Sequence, residues 1–237
     1  GNAATQHSST TFSVDKTAPT ISGVTASWGS VLNSIEDNSN GTVTIATSGA
    51  EDGQTVTLVL NSKSYTGTVS SNTTSITVPA ADLQALSESS TYTLSADVSD
   101  AAGNAATQHS STTFSVDKTA PTAVLSSVAD DVGSVVGNLS SGQTTDDTAV
   151  VITGTNEAGS TVDVYSGTTK LGAATVNGTN WTYEATLSDG TSYALNAIET
   201  DAAGNPSSAT SNLTVIGDTT APTISGVTAS WGSVLNS

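Results

Sequence analysis

Apolar residues in this chain come in short runs that alternate with threonine and serine, and Gly, Asn, Asp and Pro separate the runs. In Tyr92-Thr-Leu-Ser-Ala-Asp-Val98 the period of two sets Tyr92, Leu94, Ala96 and Val98 on one face, expected to meet a core. The same reading predicts strands over 20–28, 42–46, 55–60, 65–69, 75–78, 92–98 and 113–116, with one helical turn over 80–86. Further strands are predicted over 150–153, 161–165 and 193–197, and one more carries Trp181 and Tyr183. Leu58, Leu60, Tyr92, Leu94 and Phe114 are the expected core of the first half.

A repeat organises these strands. Asp100-Ala-Ala-Gly-Asn104 leads to Asp117-Lys-Thr-Ala-Pro121, and Asp201-Ala-Ala-Gly-Asn205 leads to Asp218-Thr-Thr-Ala-Pro222. Residues 1–14 repeat 103–116 letter for letter, and 220–237 repeat 17–34. The expected division is a fragment of a preceding repeat at 1–14, whole repeats at 15–116 and 117–217, and a fragment of a following repeat at 218–237. A period near one hundred residues is long enough for each repeat to bury its own core. About seven strands per period predict an all-β fold, a tandem of immunoglobulin-like sandwiches in an elongated array. Pro19, Pro121 and Pro222 restrict the linkers, and no Gly/Ser spacer loosens them. The two whole repeats differ in kind, with Trp28-Gly-Ser in the first where the second has Asp130-Asp-Val-Gly-Ser134.

Charge narrows the function. Twenty-one acids face four lysines and no arginine, for a formal charge of -17. Such a chain repels nucleic acid and anionic membranes and attracts cations. It has no cysteine, no apolar run long enough to cross a membrane, and no Ser-His-Asp set. His7 and His109 are one repeat position in two copies, which makes a catalytic role a poor reading. Trp28, Trp181 and Trp231 are expected to plug the sandwiches.

The acids cluster where strands turn. In an immunoglobulin-like topology the linker and the B–C and F–G loops share one pole. That pole holds Asp15, Glu51, Asp52, Asp100 and Asn104 in the first repeat, and Asp117, Glu157, Asp201 and Asn205 in the second. Asp218 opens the next. Glu36 and Asp37, and Asp146 and Asp147, are expected to reach toward the joint that follows each repeat. Carboxylates without a basic partner repel one another, and a hard cation taking six to eight oxygens, Ca²⁺ above all, relieves this. A single such turn is an ordinary hairpin. The convergence of three acidic elements on one pole, in both repeats, is what points to calcium. For Asp130 and Asp131 a second ion and a solvated bend are equal readings.

The segments Ala120-Pro-Thr, Asp130-Asp-Val-Gly133, Gly142-Gln-Thr-Thr-Asp-Asp147, Ile152-Thr-Gly-Thr-Asn-Glu-Ala-Gly159 and Asp201-Ala-Ala-Gly-Asn205 resemble bacterial immunoglobulin-like repeats. Those occur in giant adhesins exported by type I secretion, the repeats-in-toxin and biofilm group. Ser27-Trp-Gly, Glu36-Asp-Asn and Glu51-Asp-Gly-Gln-Thr-Val56 resemble a second subtype of the same extender regions. The resemblance implies a non-enzymatic spacer at the bacterial cell surface, holding a ligand-binding tip away from the cell, with Ca²⁺ stiffening its joints. It carries over onto Asp15, Glu51, Asp100 and Asn104, and onto Asp117, Glu157, Asp201 and Asn205; an ion needing the Asp130–Asp131 pair should be absent from the first repeat. The implied partners are neighbouring repeats, and the end fragments are expected to be disordered or to pair head to tail with another molecule. The alternative is a binding module recognising a glycan or protein receptor, which an exposed aromatic cluster on a loop would favour.

Overall fold

In the computed structural model, residues 10–133 and 136–226 are described. The first domain runs β1 (Thr20–Ala26), β2 (Val31–Leu32), a 3-10 turn at Glu36–Asn38, β3 (Gly41–Ser48), β4 (Thr55–Leu60), β5 (Lys63–Thr68) and β6 (Thr73–Val78). A short helix α1 (Ala80–Gln84) then leads to β7 (Thr91–Val98) and β8 (His109–Val116). One sheet has the order β1-β3-β6 and the other β2-β8-β7-β4-β5. Neighbouring strands are antiparallel except β2, which lies parallel to β8 through Val31–Ser115 and Leu32–Val116.

The period-two pattern decides which faces meet. Val43 and Ile45 of β3, Leu58 and Leu60 of β4, Ile76 and Val78 of β6, and Leu94, Ala96 and Val98 of β7 are all buried. Threonines between them face outward on β3 and β6, so one sequence rule builds both the core and the solvated surface. Trp28 closes the core, meeting Phe114 edge to face at 5.3 Å between ring centres.

The sequence pattern puts Tyr92 in the core, and the structure corrects this. Tyr92 is only half-buried: its ring stacks on Phe114 at 6.0 Å while its hydroxyl accepts the Ser87 N–H at 2.9 Å. Tyr193 does the same with the Ser188 N–H at 3.0 Å. A phenol needs a polar partner when it enters a core, and the backbone five residues upstream supplies it, a tyrosine corner in each sandwich.

The second domain has β9 (Val124–Asp130), β10 (Gly137–Asn138), β11 (Gln143–Thr145), β12 (Ala149–Thr155), β13 (Thr161–Ser166) and β14 (Thr169–Ala173). It continues with β15 (Thr175–Asn177), β16 (Asn180–Thr186), β17 (Ser192–Thr200) and β18 (Leu213–Gly217). Its sheets are ordered β10-β9-β12-β16-β15 and β11-β18-β17-β13-β14, and β11 lies parallel to β18. Trp181 on β16 is buried and donates its indole N–H to the Thr155 carbonyl at 3.3 Å. Gly154 lies beneath it, where any Cβ would collide with the indole and with the Val124 carbonyl. Both described tryptophans therefore plug a sandwich; Trp231 and His7 lie outside the described residues.

So do most of the end fragments, 1–9 and 227–237. Residues 10–14 form no strand, and Phe12 and Val14 are exposed although their copies Phe114 and Val116 are buried. No helix among the described residues is long and apolar enough to cross a membrane.

Gly154→Ala should destabilise the second domain by about 1–3 kcal/mol through overpacking against Trp181, without effect on the first. Calorimetric unfolding of the chain checks this; two transitions unchanged from the parent would refute the packing account.

Candidate metal centre

The turn Asp100–Asn104 is built by its own ends. The Asp100 N–H donates to the Asn104 carbonyl and the Gly103 N–H to the Asp100 carbonyl, both at 3.1 Å. Gly103 takes φ +89, a conformation that suits glycine. The buried Asp100 carboxylate then accepts the Asn104 N–H at 2.7 Å on Oδ1 and the Asn104 side-chain amide at 2.8 Å on Oδ2. The Asn104 amide, helped by the backbone N–H groups of the turn and opposed by burial, holds the Asp100 carboxyl below the usual carboxylate range.

Around this turn the other predicted residues gather. Asn104 Nδ2 donates to the Asp15 carbonyl at 3.2 Å, and Glu51 Oε2 accepts the Ala101 N–H at 2.8 Å. Asp15 caps its own linker, its Oδ1 accepting the Thr17 N–H at 2.9 Å. The structure thus brings Asp15, Glu51, Asp100 and Asn104 together. Asp52 is engaged elsewhere, accepting the Ser71 N–H at 2.7 Å.

In the second repeat the linker anchor and the linker cap recur. Asn205 Nδ2 donates to the Asp117 carbonyl at 3.0 Å, and Asp117 Oδ1 accepts the Thr119 N–H at 3.3 Å. Glu157 is exposed on the loop between β12 and β13, and Asp201 is half-buried at the end of β17. Asp218 caps its linker in the same way, accepting the Thr220 N–H at 3.2 Å.

The remaining predicted acids have partners of their own. Glu36 Oε2 accepts the Asn33 N–H at 3.1 Å. Asp37 is buried and pairs with Lys118 at 3.6 Å, whose ammonium also donates to the carbonyls of Leu86 and Gln84 at 2.8 and 3.1 Å. Asp130 accepts the Thr145 hydroxyl at 2.6 Å and the Val132 N–H at 3.0 Å. Asp147 accepts from Ala149 at 2.8 Å and from the Asp131 N–H at 3.4 Å, and the Asp146 carboxylate stands over Gly133. Asp130, Asp131, Asp146 and Asp147, two separate pairs in the sequence, therefore share one bend.

The sequence reading misses two acids that hold the outgoing linkers. Glu88 Oε2 accepts the Lys118 N–H at 2.8 Å, and Asp189 accepts from Thr219 N–H at 2.6 Å and Thr220 hydroxyl at 2.8 Å. The Thr220 hydroxyl, then the Thr219 N–H, keep the Asp189 carboxyl low. Their position at the tyrosine corner, about one hundred residues apart, is the signal that identifies them.

Asp15, Glu51 and Asp117 offer carboxylate oxygens, and among the described residues no basic side chain is bonded to them, which is the chemistry a hard cation takes. Yet among the described residues no three acidic or histidine side chains form a group that would hold a metal ion by themselves. The carboxylates are drawn onto backbone N–H groups, Asp15 and Asp100 within their own turns and Glu51 and Asp52 on other loops. Any ion there would need carbonyl, amide and water oxygens as well.

Residues 1–108 match the family described as bacterial Ig-like domain (group 3), and residues 122–219 match the family described as bacterial Ig-like domain. The chain is a tandem of bacterial Ig-like domains. These bacterial Ig-like domains are 34% identical over 222 residues to chitinase A1 of Niallia circulans, a match that spans 90% of this chain and 28% of the chitinase. Their fold is similar to the fibronectin(III)-like modules of CbhA from Clostridium thermocellum, with TM-score 0.51 and 14% identity over 83% of this chain and 94% of that one. A Ca²⁺-stabilized adhesin with which an Antarctic bacterium binds ice is a further similar structure, at TM-score 0.49 and 24% identity over 85% of this chain and 50% of that one.

Asn104→Ala should lower the melting temperature of the first domain, because it removes the amide that Asp100 Oδ2 accepts and the bond to the Asp15 carbonyl, while the backbone N–H of residue 104 stays on Asp100 Oδ1. Because the folded Asp100 pKa is depressed, its contribution is fully present above the unfolded value and is lost as pH falls through the folded one. Denaturant unfolding against pH should show this loss in the parent and not in Asp100→Asn. Identical acid limbs would refute the assignment.

Proposed function

We propose that the chain is a length of non-enzymatic spacer from a bacterial surface adhesin, and that calcium at its acidic poles stiffens the linkers. The observation that carries the reading is how the linkers are held. Asn104 and Asn205 take the carbonyls of the incoming linker residues Asp15 and Asp117, and Glu88 and Asp189 take the N–H groups of the outgoing ones. A linker bonded in this way moves with its domain, as a spacer that must keep its reach requires.

Family, tandem repetition and a formal charge of -17 support the same reading. Trp28 and Trp181 are buried inside the sandwiches, which takes them out of the aromatic platform that a glycan-binding module would present. In this reading Asp15, Glu51 and Asp100, and Asp117, Glu157 and Asp201, are the ligands, with Asn104 and Asn205 as linker anchors. Extracellular calcium in the millimolar range suits even a weak site of this kind.

Binding to the folded state alone raises stability by about 2.7 kcal/mol when free calcium is a hundredfold above its dissociation constant. Calorimetric titration of the chelator-treated chain should therefore show calcium binding, with a matching rise in melting temperature. Asp117→Asn combined with Asp201→Asn should remove the second domain's share. Absence of a heat of binding, with equal melting in calcium and chelator, would leave a plain spacer.

A further inference from the structure

The two domains differ at one buried place. Ala50, Val98 and Ala106 of the first domain occupy the positions of Asn156, Glu199 and Ser207 in the second. The backbone confirms the match: the Ala106 N–H donates to the Val98 carbonyl at 2.9 Å, and the Ser207 N–H to the Glu199 carbonyl at 2.7 Å. All six are buried, with Glu199 at 0% exposure and Asn156 at 7%. Three apolar residues that close one sandwich are thus replaced together by a carboxylate, an amide and a hydroxyl.

The polar set is short of donors. Glu199 Oε1 accepts the Glu157 N–H at 2.6 Å and contacts the Ser160 hydroxyl, while Glu199 Oε2 has no hydrogen-bond partner. Asn156 directs Nδ2 at the Glu157 carbonyl at 2.6 Å and at Ser160 Oγ at 3.3 Å, and its Oδ1 is also without a partner. The Ser160 hydroxyl lies 2.6 Å from the Glu157 carbonyl as well as against Glu199, and its one proton serves only one of them. Two buried acceptor oxygens, Glu199 Oε2 and Asn156 Oδ1, thus have no donor, on two side chains that both meet Ser160.

Among the described residues no side chain supplies the missing positive charge. The chain has four lysines and no arginine. Lys63 pairs with Asp82, Lys118 with Asp37 and Lys170 with Asp163, and Lys16 is exposed in the first domain. A buried anion that lacks a paired cation and has an unused oxygen is costly. We propose that the second domain, and not the first, holds an internal hard cation, sodium or calcium. Its ligands are Glu199 Oε2, Asn156 Oδ1 and the oxygens about Ser160. The site shares the Glu157 backbone with the pole discussed above but uses other side chains, and it does not depend on calcium binding there.

The test compares the parent chain with Glu199→Gln in choline chloride, sodium chloride and calcium chloride, because choline is too large to enter. Glutamine keeps the acceptor for the Glu157 N–H and places an N–H group where the unpartnered oxygen stood. Hydrogen exchange is read on peptides covering 155–162 and 196–208. In the parent, sodium or calcium should slow this exchange by about tenfold relative to choline; in the variant sodium should change little, and calcium should leave only the part that Asp117→Asn with Asp201→Asn removes. The salt that acts identifies the ion. Asn156→Ala, which installs the residue found at Ala50, should lose the same response if the glutamine variant fails to fold. Asp117→Asn should retain it, which separates this site from the pole. Equal responses in parent and variant, or no response to either salt, would overturn the proposal and assign the unpartnered oxygens to bridging water.

Discussion

Each sandwich closes because its few apolar side chains fall on alternate residues of strands in two sheets. Only 35% of the chain is hydrophobic and 4% aromatic, so few apolar residues are to spare. The first domain gathers Leu32, Val43, Ile45, Leu58, Leu94 and Phe114 between its sheets, and the second gathers Val128, Ile152, Val164, Leu195 and Val215. Trp28 and Trp181 fill the volume that short Val and Ala side chains leave. Both need a glycine beside them, Gly41 for Trp28 and Gly154 for Trp181. Loops, linkers and acidic poles are positioned by this closure.

With the core fixed, the surface carboxylates follow a local logic. Without arginine and with few lysines, the acids find backbone N–H groups, which are numerous at turns and cost no extra charge. Asp100, Asp130 and Asp147 are buried in this way and still well supplied with donors. The same habit organises the linkers, whose aspartates cap the next turn while asparagine and acidic side chains hold the flanking backbone. Acidity here is first a means of fixing chain direction.

Much of the fold is legible in the sequence, because period-two alternation survives in Tyr92–Val98, Thr55–Leu60 and Thr73–Val78. The two- and three-residue strands β2, β10, β11 and β15 are not legible, since so short a segment carries no period. The pole is half legible. Repetition of Asp-Ala-Ala-Gly-Asn marks the turn, but nothing local shows that Asp37 meets Lys118 far along the chain. Glu199 carries a signal of its own: it stands in phase with Tyr193, Leu195 and Ala197, an inward position for a carboxylate. Asn156 likewise continues the inward series of Ile152 and Gly154. A polar residue in phase with a core face is as informative as an acidic motif.

The parallel pairing of β2 with β8 and of β11 with β18 sets an early strand of each domain beside its last. Tension applied between the ends of a domain pulls these neighbours in opposite directions along their length. Their hydrogen bonds are then loaded in shear and must break together, instead of opening one by one as in a zipper. Two residue pairs carry that load in the first domain and three in the second, from Gln143–Val215 to Thr145–Gly217. The two repeats thus differ in the length of the pairing that such a pull would load.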